Sequence, residues 1–145
     1  IHAIGACNFI AEIQQTSDIT YRVFDYNRVD NSGKKRTLHT ELAREALNFN
    51  QSDIYQECQH QNNTDNSSLI SCDYFVTRLR QVNGDVEIQL PDCFVVIICI
   101  DGEVQITDNH DEVALLRRGE TTLIPANITH LRIRGKAKLI TTTLP

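Results

Sequence analysis

The sequence predicts an all-β fold, with one short α-helix ahead of it. Three observations point there. Short runs of alternating apolar and polar residues recur through the second half, as in Val86, Ile88 and Leu90 separated by Glu87 and Gln89. Turn chemistry separates those runs at spacings typical of a β-sandwich or barrel. Helical spacing of apolar residues occurs only once, at Leu38, Leu42 and Ala46 with Ala43 and Leu47.

Taken in order, residues 8–14 and 20–26 are rich in β-branched and aromatic side chains and read as two strands. Thr16-Ser17-Asp18 is the turn between them, and Asn31-Ser32-Gly33 is a second turn. Residues 38–49 read as an amphipathic helix with Thr37 as its N-cap. Residues 50–68 are dominated by Gln, Asn, Ser and Asp, and read as a polar loop or linker and the best boundary in the chain.

Strands follow. Residues 74–82 form the first, Asn83-Gly84-Asp85 a turn, and residues 86–90 a half-buried strand. "CFVVIICI" is apolar on both faces, which suits a central strand. Asp101-Gly102 is the strongest hairpin signal. Strands at 104–107, 113–116, 121–124, 130–134 and 138–143 complete the set, with corners at 108–111 and at Gly119. The expectation is one closed barrel of antiparallel strands over about 70–143.

The chain has 145 residues and a formal charge of −5. Its basic residues are scattered, apart from Lys34-Lys35-Arg36 and Arg117-Arg118, and no basic stripe carries aromatic partners, so nucleic acid is not an expected partner. No apolar stretch approaches the ~20 residues of a membrane span. Five cysteines without a CxxC pair fit a reducing, cytoplasmic setting better than a disulfide framework. Cys58 and His60 make a lone Cys-x-His without the further ligands a metal needs.

"GETTLIPANITHLRI" carries Gly119, Pro125, Asn127 and His130 at the spacing G-x5-P-x-G-x2-H-x3-N. It resembles the second conserved motif of the cupin superfamily, with Asn127 in place of the Gly and Arg134 in place of the final Asn. The resemblance implies a double-stranded β-helix, the cupin jelly roll, with His130 directed into the barrel mouth. Metal-binding cupins add an H-x-H and a Glu from an earlier strand. Here that strand is "CFVVIICIDGE", which has no His and has Val95 at the Glu position. This barrel is therefore expected to hold no metal.

The opening "IHAIGA" resembles the end of the same motif in a second barrel, which makes His2 its metal-binding His. An apolar start without Met reads as the interior of a longer protein. A denser resemblance follows. Glu12-Ile13-Gln14-Gln15, Ser17-Asp18, Thr20-Tyr21-Arg22, Asp25-Tyr26, Arg28 and Leu38-His39 closely resemble the type I mannose-6-phosphate isomerases. That family interconverts mannose 6-phosphate and fructose 6-phosphate with a Zn2+ held by Gln, His, Glu and a second His. Only the last of these falls in this chain, as His2, and the others are expected upstream of Ile1. The resemblance makes Arg22 the catalytic-site and substrate-binding arginine and Asp18 its acidic neighbour. Glu12 reads as an ordinary strand carboxylate, with a supporting role at the site as the alternative.

The domain reading that results is 1–30 as the last strands of a catalytic cupin, 31–68 as connecting helix and linker, and 69–145 as a metal-free cupin-like barrel. The function implied is zinc-dependent aldose–ketose isomerisation of a sugar phosphate, with the chain a C-terminal piece inactive alone. A stand-alone, metal-free cupin that binds a sugar or a protein is the rival; it would have no use for both His2 and Arg22. A cupin oxygenase is a further rival, disfavoured by Val95. The sequence sets no oligomeric state.

Overall fold

The computed structural model describes residues 3–16, 19–50 and 66–145. The chain divides into two compact units, Ile1–Tyr55 and Gln56–Pro145.

In the first unit the helix α1 (Thr40–Ala46) is shorter than its apolar periodicity predicts. Its N-cap is His39, not Thr37, and no side chain caps it. The stretches 8–14 and 20–26 form no strands. Their β-branched residues are there, but among the described residues no ladder uses them; a lone bridge among those residues joins Val29 and Lys35. That bridge closes the expected turn at 31–33. Asp30 Oδ1 accepts from the Ser32 and Lys34 backbone N–H groups at 2.8 and 2.9 Å and from Ser32 Oγ at 2.6 Å. Gly33 takes the positive φ (78°) that the turn needs. Among the described residues of this unit only Ala43 is buried.

The second unit is one antiparallel sheet of six strands: β1 (Asn66–Ser71), β2 (Val76–Gln89), β3 (Val95–Asp108), β4 (Val113–Arg117), β5 (Thr121–Ile124) and β6 (His130–Thr143). β6 is central, paired with β2 on one side and β3 on the other. β1 covers the far edge of β2, and β4 and β5 lie in line along the far edge of β3.

Two expected turns and one expected break between strands are interior to strands. Asn83-Gly84-Asp85 lies within β2, Asp101-Gly102 within β3, and the gap between the expected strands 130–134 and 138–143 lies within β6. At each, a glycine with positive φ bends the strand: Gly84 (107°), Gly102 (79°) and Gly135 (141°). A turn dipeptide reverses a chain only when the flanking residues pair with each other. Here both flanks pair with neighbouring strands instead, so the glycine makes a crease rather than a hairpin.

Burial shows what the crease does. In β3, Val95, Ile97 and Cys99 are buried, then Val104 and Ile106. The change from odd to even positions comes from a bulge, since Cys99 pairs with Leu139 and Asp101 with Lys138, leaving Ile100 extra. Unbulged β6 keeps one parity through Leu131, Ile133, Ala137 and Leu139. Both ends of these strands feed one core. The sheet therefore folds across the glycine line into two layers that share an interior, the layout of a double-stranded β-helix. Among the described residues no ladder joins β1 to β4 or β5, so it is an open folded sheet rather than the expected closed barrel.

The Gly119 corner is pinned to the bulge. Gly119 N–H donates to Cys99 O at 2.8 Å, Arg118 N–H to Gly102 O at 3.0 Å, and Cys99 N–H to Glu120 O at 3.0 Å. The 108–111 corner repeats the Asp30 device, with Asp108 Oδ1 accepting from His110 and Glu112 N–H. β1 begins inside the stretch read as linker up to residue 68 and runs on to Ser71. An edge strand with a single partner has little need of an apolar face, and its Leu69 and Ile70 stay exposed.

Candidate active site

Arg22 is held by its own backbone and by the segment leading into α1. Its N–H donates to His39 Nδ1 at 3.2 Å, and its C=O accepts from His39 N–H at 2.7 Å. The guanidinium Nη1 donates to Thr37 O at 3.3 Å. The side chain is 24% exposed, a low value for an arginine.

Its acidic neighbour among the described residues is Asp25, with Arg22 Nε 4.0 Å from Oδ1. That carboxylate is engaged elsewhere. Arg36 grips it in a fork, Nε to Oδ2 at 2.7 Å and Nη2 to Oδ1. The bond from Arg36 holds the Asp25 carboxyl below its ordinary range, and the same bond raises Arg36. Asp25 thus spends its directional capacity on Arg36 and leaves Arg22 with only a long contact.

The chain then turns at 25–28. Arg28 N–H donates to Asp25 O at 2.9 Å, and Tyr26 and Asn27 adopt positive φ (52° and 55°). Asn27 Oδ1 accepts from Lys35 Nζ at 3.0 Å, tying the turn to the returning segment. Arg28 lies over the Tyr26 ring, 5.5 Å from its centre, and Phe24 meets that ring edge-on at 5.1 Å.

An open cleft of about 740 Å³ results, lined by Thr20, Tyr21, Arg22, Phe24, Tyr26 and Arg28 among others. Two guanidiniums on apolar and aromatic walls suit an anionic ligand with a carbon skeleton. Arg28, Asp25 and Tyr26 carry part of the family resemblance, but nothing in their spacing singles them out as site residues; only the 25–28 turn brings Arg28 round to Arg22.

Of the residues that the sequence nominates, Arg22 lines this cleft. His2 and Asp18 lie outside the described residues. Glu12 is exposed and is not among the residues that line the cleft. His130 is exposed on the outer face of β6, because the core takes Leu131 and Ile133, and not in the barrel mouth to which the cupin motif would direct it. Gly119, Pro125 and His130 of the cupin motif are present, but the register turns His130 away from the interior. Its ring Nδ1 is 3.4 Å from Thr129 Oγ1. Arg134, at the motif's Asn position, shares the outer face and bonds Asp85 at 2.8 Å. Among the described residues no three His, Cys, Asp or Glu side chains converge as metal ligands.

Residues 65–144, the folded sheet, match the family model "Mannose-6-phosphate isomerase, cupin domain". The chain belongs to this family. Both units have counterparts in curated relatives. The mannose-6-phosphate isomerase of Streptococcus mutans is 31% identical over 144 residues, which is 97% of this chain and 44% of the relative. Mannose-6-phosphate isomerase ManA of Bacillus subtilis is 30% identical over 99% of this chain and 46% of the relative. The chain thus spans less than half the length of these relatives. The crystal structure of the mannose 6-phosphate isomerase from Bacillus subtilis superposes with a TM-score of 0.69 and 28% identity, over 87% of this chain and 40% of that one. Protein NMB1881 from Neisseria meningitidis superposes with a TM-score of 0.51 at 16% identity, a likeness of fold alone. The second unit is a cupin jelly roll, as the sequence predicts, and the family is the one that the first unit's motifs resemble.

Proposed function

We propose that this chain is the C-terminal portion of a zinc-dependent mannose-6-phosphate isomerase, and that its first unit supplies one wall of the active site. The observation that carries the reading is the match to curated mannose-6-phosphate isomerases across 97–99% of the chain, both units included. The exposed apolar side chains of the first unit, Ile4, Ile10, Tyr21 and Phe24 among them, also support it, since a unit with one buried side chain among its described residues has apolar surface to cover. On this reading residues 1–30 belong to a catalytic cupin, 31–68 connect, and 69–145 form the appended metal-free barrel.

The chemistry follows from the substrate class. Aldose–ketose isomerisation moves a proton between adjacent carbons through an enediol, and negative charge grows on the two oxygens. Arg22 offers a fixed, permanently charged donor to that charge or to the phosphate. Asp18 orients Arg22 or relays a proton. His2 is the one zinc ligand that the family motif assigns to this chain. When bound, zinc supplies Lewis-acid stabilisation of the same charge. The other ligands of the family's zinc are proposed to lie in the part of the relatives that this chain does not span. The proposed setting is the reducing cytoplasm; Cys7, Cys72, Cys93 and Cys99 form no disulfide with one another. No helix among the described residues is long and apolar enough to cross a membrane.

The test is a coupled assay of the full-length protein on mannose 6-phosphate, with metal analysis of the same sample. Zinc-dependent formation of fructose 6-phosphate is the expected result. A full-length, metal-loaded protein that leaves mannose 6-phosphate unchanged overturns the proposal.

A further inference from the structure

The interior of the folded sheet opens at one end into a pocket of about 390 Å³. Arg78 and Arg80 line it, together with Ile88, Val95, Thr141 and Thr143. Register places the two arginines on the inner face of β2. Arg78 pairs with Thr141 and Arg80 with Leu139, and Val82, two residues further along the same face, is in the core. β3 completes the wall, since Val95 pairs with Thr143 and Ile97 with Thr141.

Two arginines on adjacent same-face positions of a core strand are costly to keep without a counter-charge. Among the described residues none is supplied. Neither arginine forms an ion pair with a described residue, the terminal carboxylate of Pro145 at the pocket included, and no described residue lining the pocket has an acidic side chain. Arg80 Nε is buried with no hydrogen-bond partner among the described residues. Burial, and then the neighbouring Arg78, lower the Arg80 pKa, so the charge is held against its environment. The arginines on the outer face behave differently: Arg132 and Arg134 both bond Asp85. The lack of a partner is a property of the inner pair.

We propose that this pocket is a binding site for a phosphate group, carried by a small phosphate monoester or by inorganic phosphate. Two guanidinium forks match the near-dianionic charge and the several acceptor oxygens of a phosphate at neutral pH. The Thr141 and Thr143 hydroxyls extend the donor set, and Ile88 and Val95 give an apolar wall for a carbon skeleton. The site belongs to the second unit and does not depend on the isomerase reading.

The experiment is calorimetric titration of the 145-residue chain with inorganic phosphate, against chloride at matched ionic strength, with thermal melting in parallel. Saturable one-to-one binding and a raised melting temperature are expected. Arg78→Gln and Arg80→Gln should each weaken binding at least ten-fold, while Arg132→Gln on the outer face and Arg22→Gln in the first unit leave it unchanged. On the unaltered chain, phosphate should shift the Arg80 Nε–H resonance, a readout that requires no variant to fold. Glucose 6-phosphate and neutral glucose separate the sources. An ester that binds at least ten-fold more tightly than phosphate names a phosphate monoester as ligand, and equal binding names the free anion; glucose alone should not bind. Phosphate no better than chloride, or phosphate binding that survives both inner-face substitutions, overturns the proposal.

Discussion

Gly84 and Gly135 face each other across β2 and β6, each with its backbone at positive φ. Gly102 continues the line on β3, where it pairs with Ala137. This row of glycines is where the sheet folds on itself, and its members differ in how tightly they are enclosed. A Cβ on Gly102 would lie 2.1 Å from Lys136 O, and one on Gly135 2.5 Å from Glu103 O, both backbone atoms that cannot step aside. A Cβ on Gly84 would meet nothing within 4 Å.

Alanine substitutions should separate these two situations. Gly84→Ala carries only the backbone strain of a left-handed alanine, about 1–2 kcal/mol. Gly102→Ala and Gly135→Ala add strand displacement to that strain, roughly 2–6 kcal/mol together. Urea unfolding of the chain should show a small shift in midpoint for the first and a large one for the other two. Equal shifts for all three would mean that the crease is not sterically closed.

The same glycines explain how far the sequence could be read. Alternation at 86–90 and the apolar run from Cys93 to Ile100 report burial directly, so the all-β class and most strand positions follow from them. A positive-φ glycine within a strand and one in a hairpin have the same local chemistry, and only the partners across the sheet tell them apart. Asp101-Gly102 was therefore readable as a bend but not as a crease. In the first unit the failure runs the other way. Residues 8–14 and 20–26 have strand composition without a ladder, since composition records what a segment can pair with and not whether the pairing strand is at hand. At the candidate site, the motif nominates Arg22, and the structure places it on the wall of a cleft. The Asp25–Arg36 fork that leaves it unclaimed depends on a turn that no spacing announces.

Asp85 gives a prediction about acid. Its carboxylate accepts from Arg132 Nε at 2.8 Å and from Arg134 Nη2 at 2.8 Å. The Arg132 bond first, then the Arg134 bond, hold its carboxyl far below the usual carboxylate range. A group whose pKa is depressed on folding binds its proton more readily in the unfolded chain. Its contribution is therefore complete above the unfolded value, about 3.9, and is lost as pH falls below it toward the folded value. Asp85→Asn should lower the melting temperature at pH 7 and change it little near pH 2. An equal loss at both values would exclude the ion pair as the cause.

Cysteine reactivity should follow the fold. Cys99 is buried at the β3 bulge, and burial pushes its thiol pKa up; Cys7 is exposed. Because the thiolate is the reactive form, Cys7 should alkylate quickly in the native protein and Cys99 only on unfolding. Peptide mass mapping after brief iodoacetamide treatment, with and without urea, checks this. Rapid native labelling of Cys99 would mean that the bulge opens on the timescale of the reaction.

Arg22 yields the prediction closest to the proposed activity. Its guanidinium is positioned by Thr37 O and its backbone by His39, while Asp25 is taken by Arg36. An arginine whose charge is not cancelled by a close fork is free to meet a charge that develops during reaction. In the full-length protein, Arg22→Ala should therefore lower kcat on mannose 6-phosphate by about 10²–10³-fold, the usual loss on removing one such donor. Zinc content should not change, because Arg22 is not a ligand. Arg22→Lys keeps the charge but loses the fork, and should recover only part of the rate. His39→Ala should cost less than Arg22→Ala, since the reciprocal bond from His39 N–H to Arg22 O survives it. His2→Ala should instead reduce zinc occupancy and activity together, as loss of a metal ligand does. The isolated 145-residue chain should show no turnover, because one imidazole cannot make a closed zinc site. Turnover by the isolated chain near the full-length rate would place a complete site within these residues, and a kcat unchanged by Arg22→Ala would remove Arg22 from the chemistry.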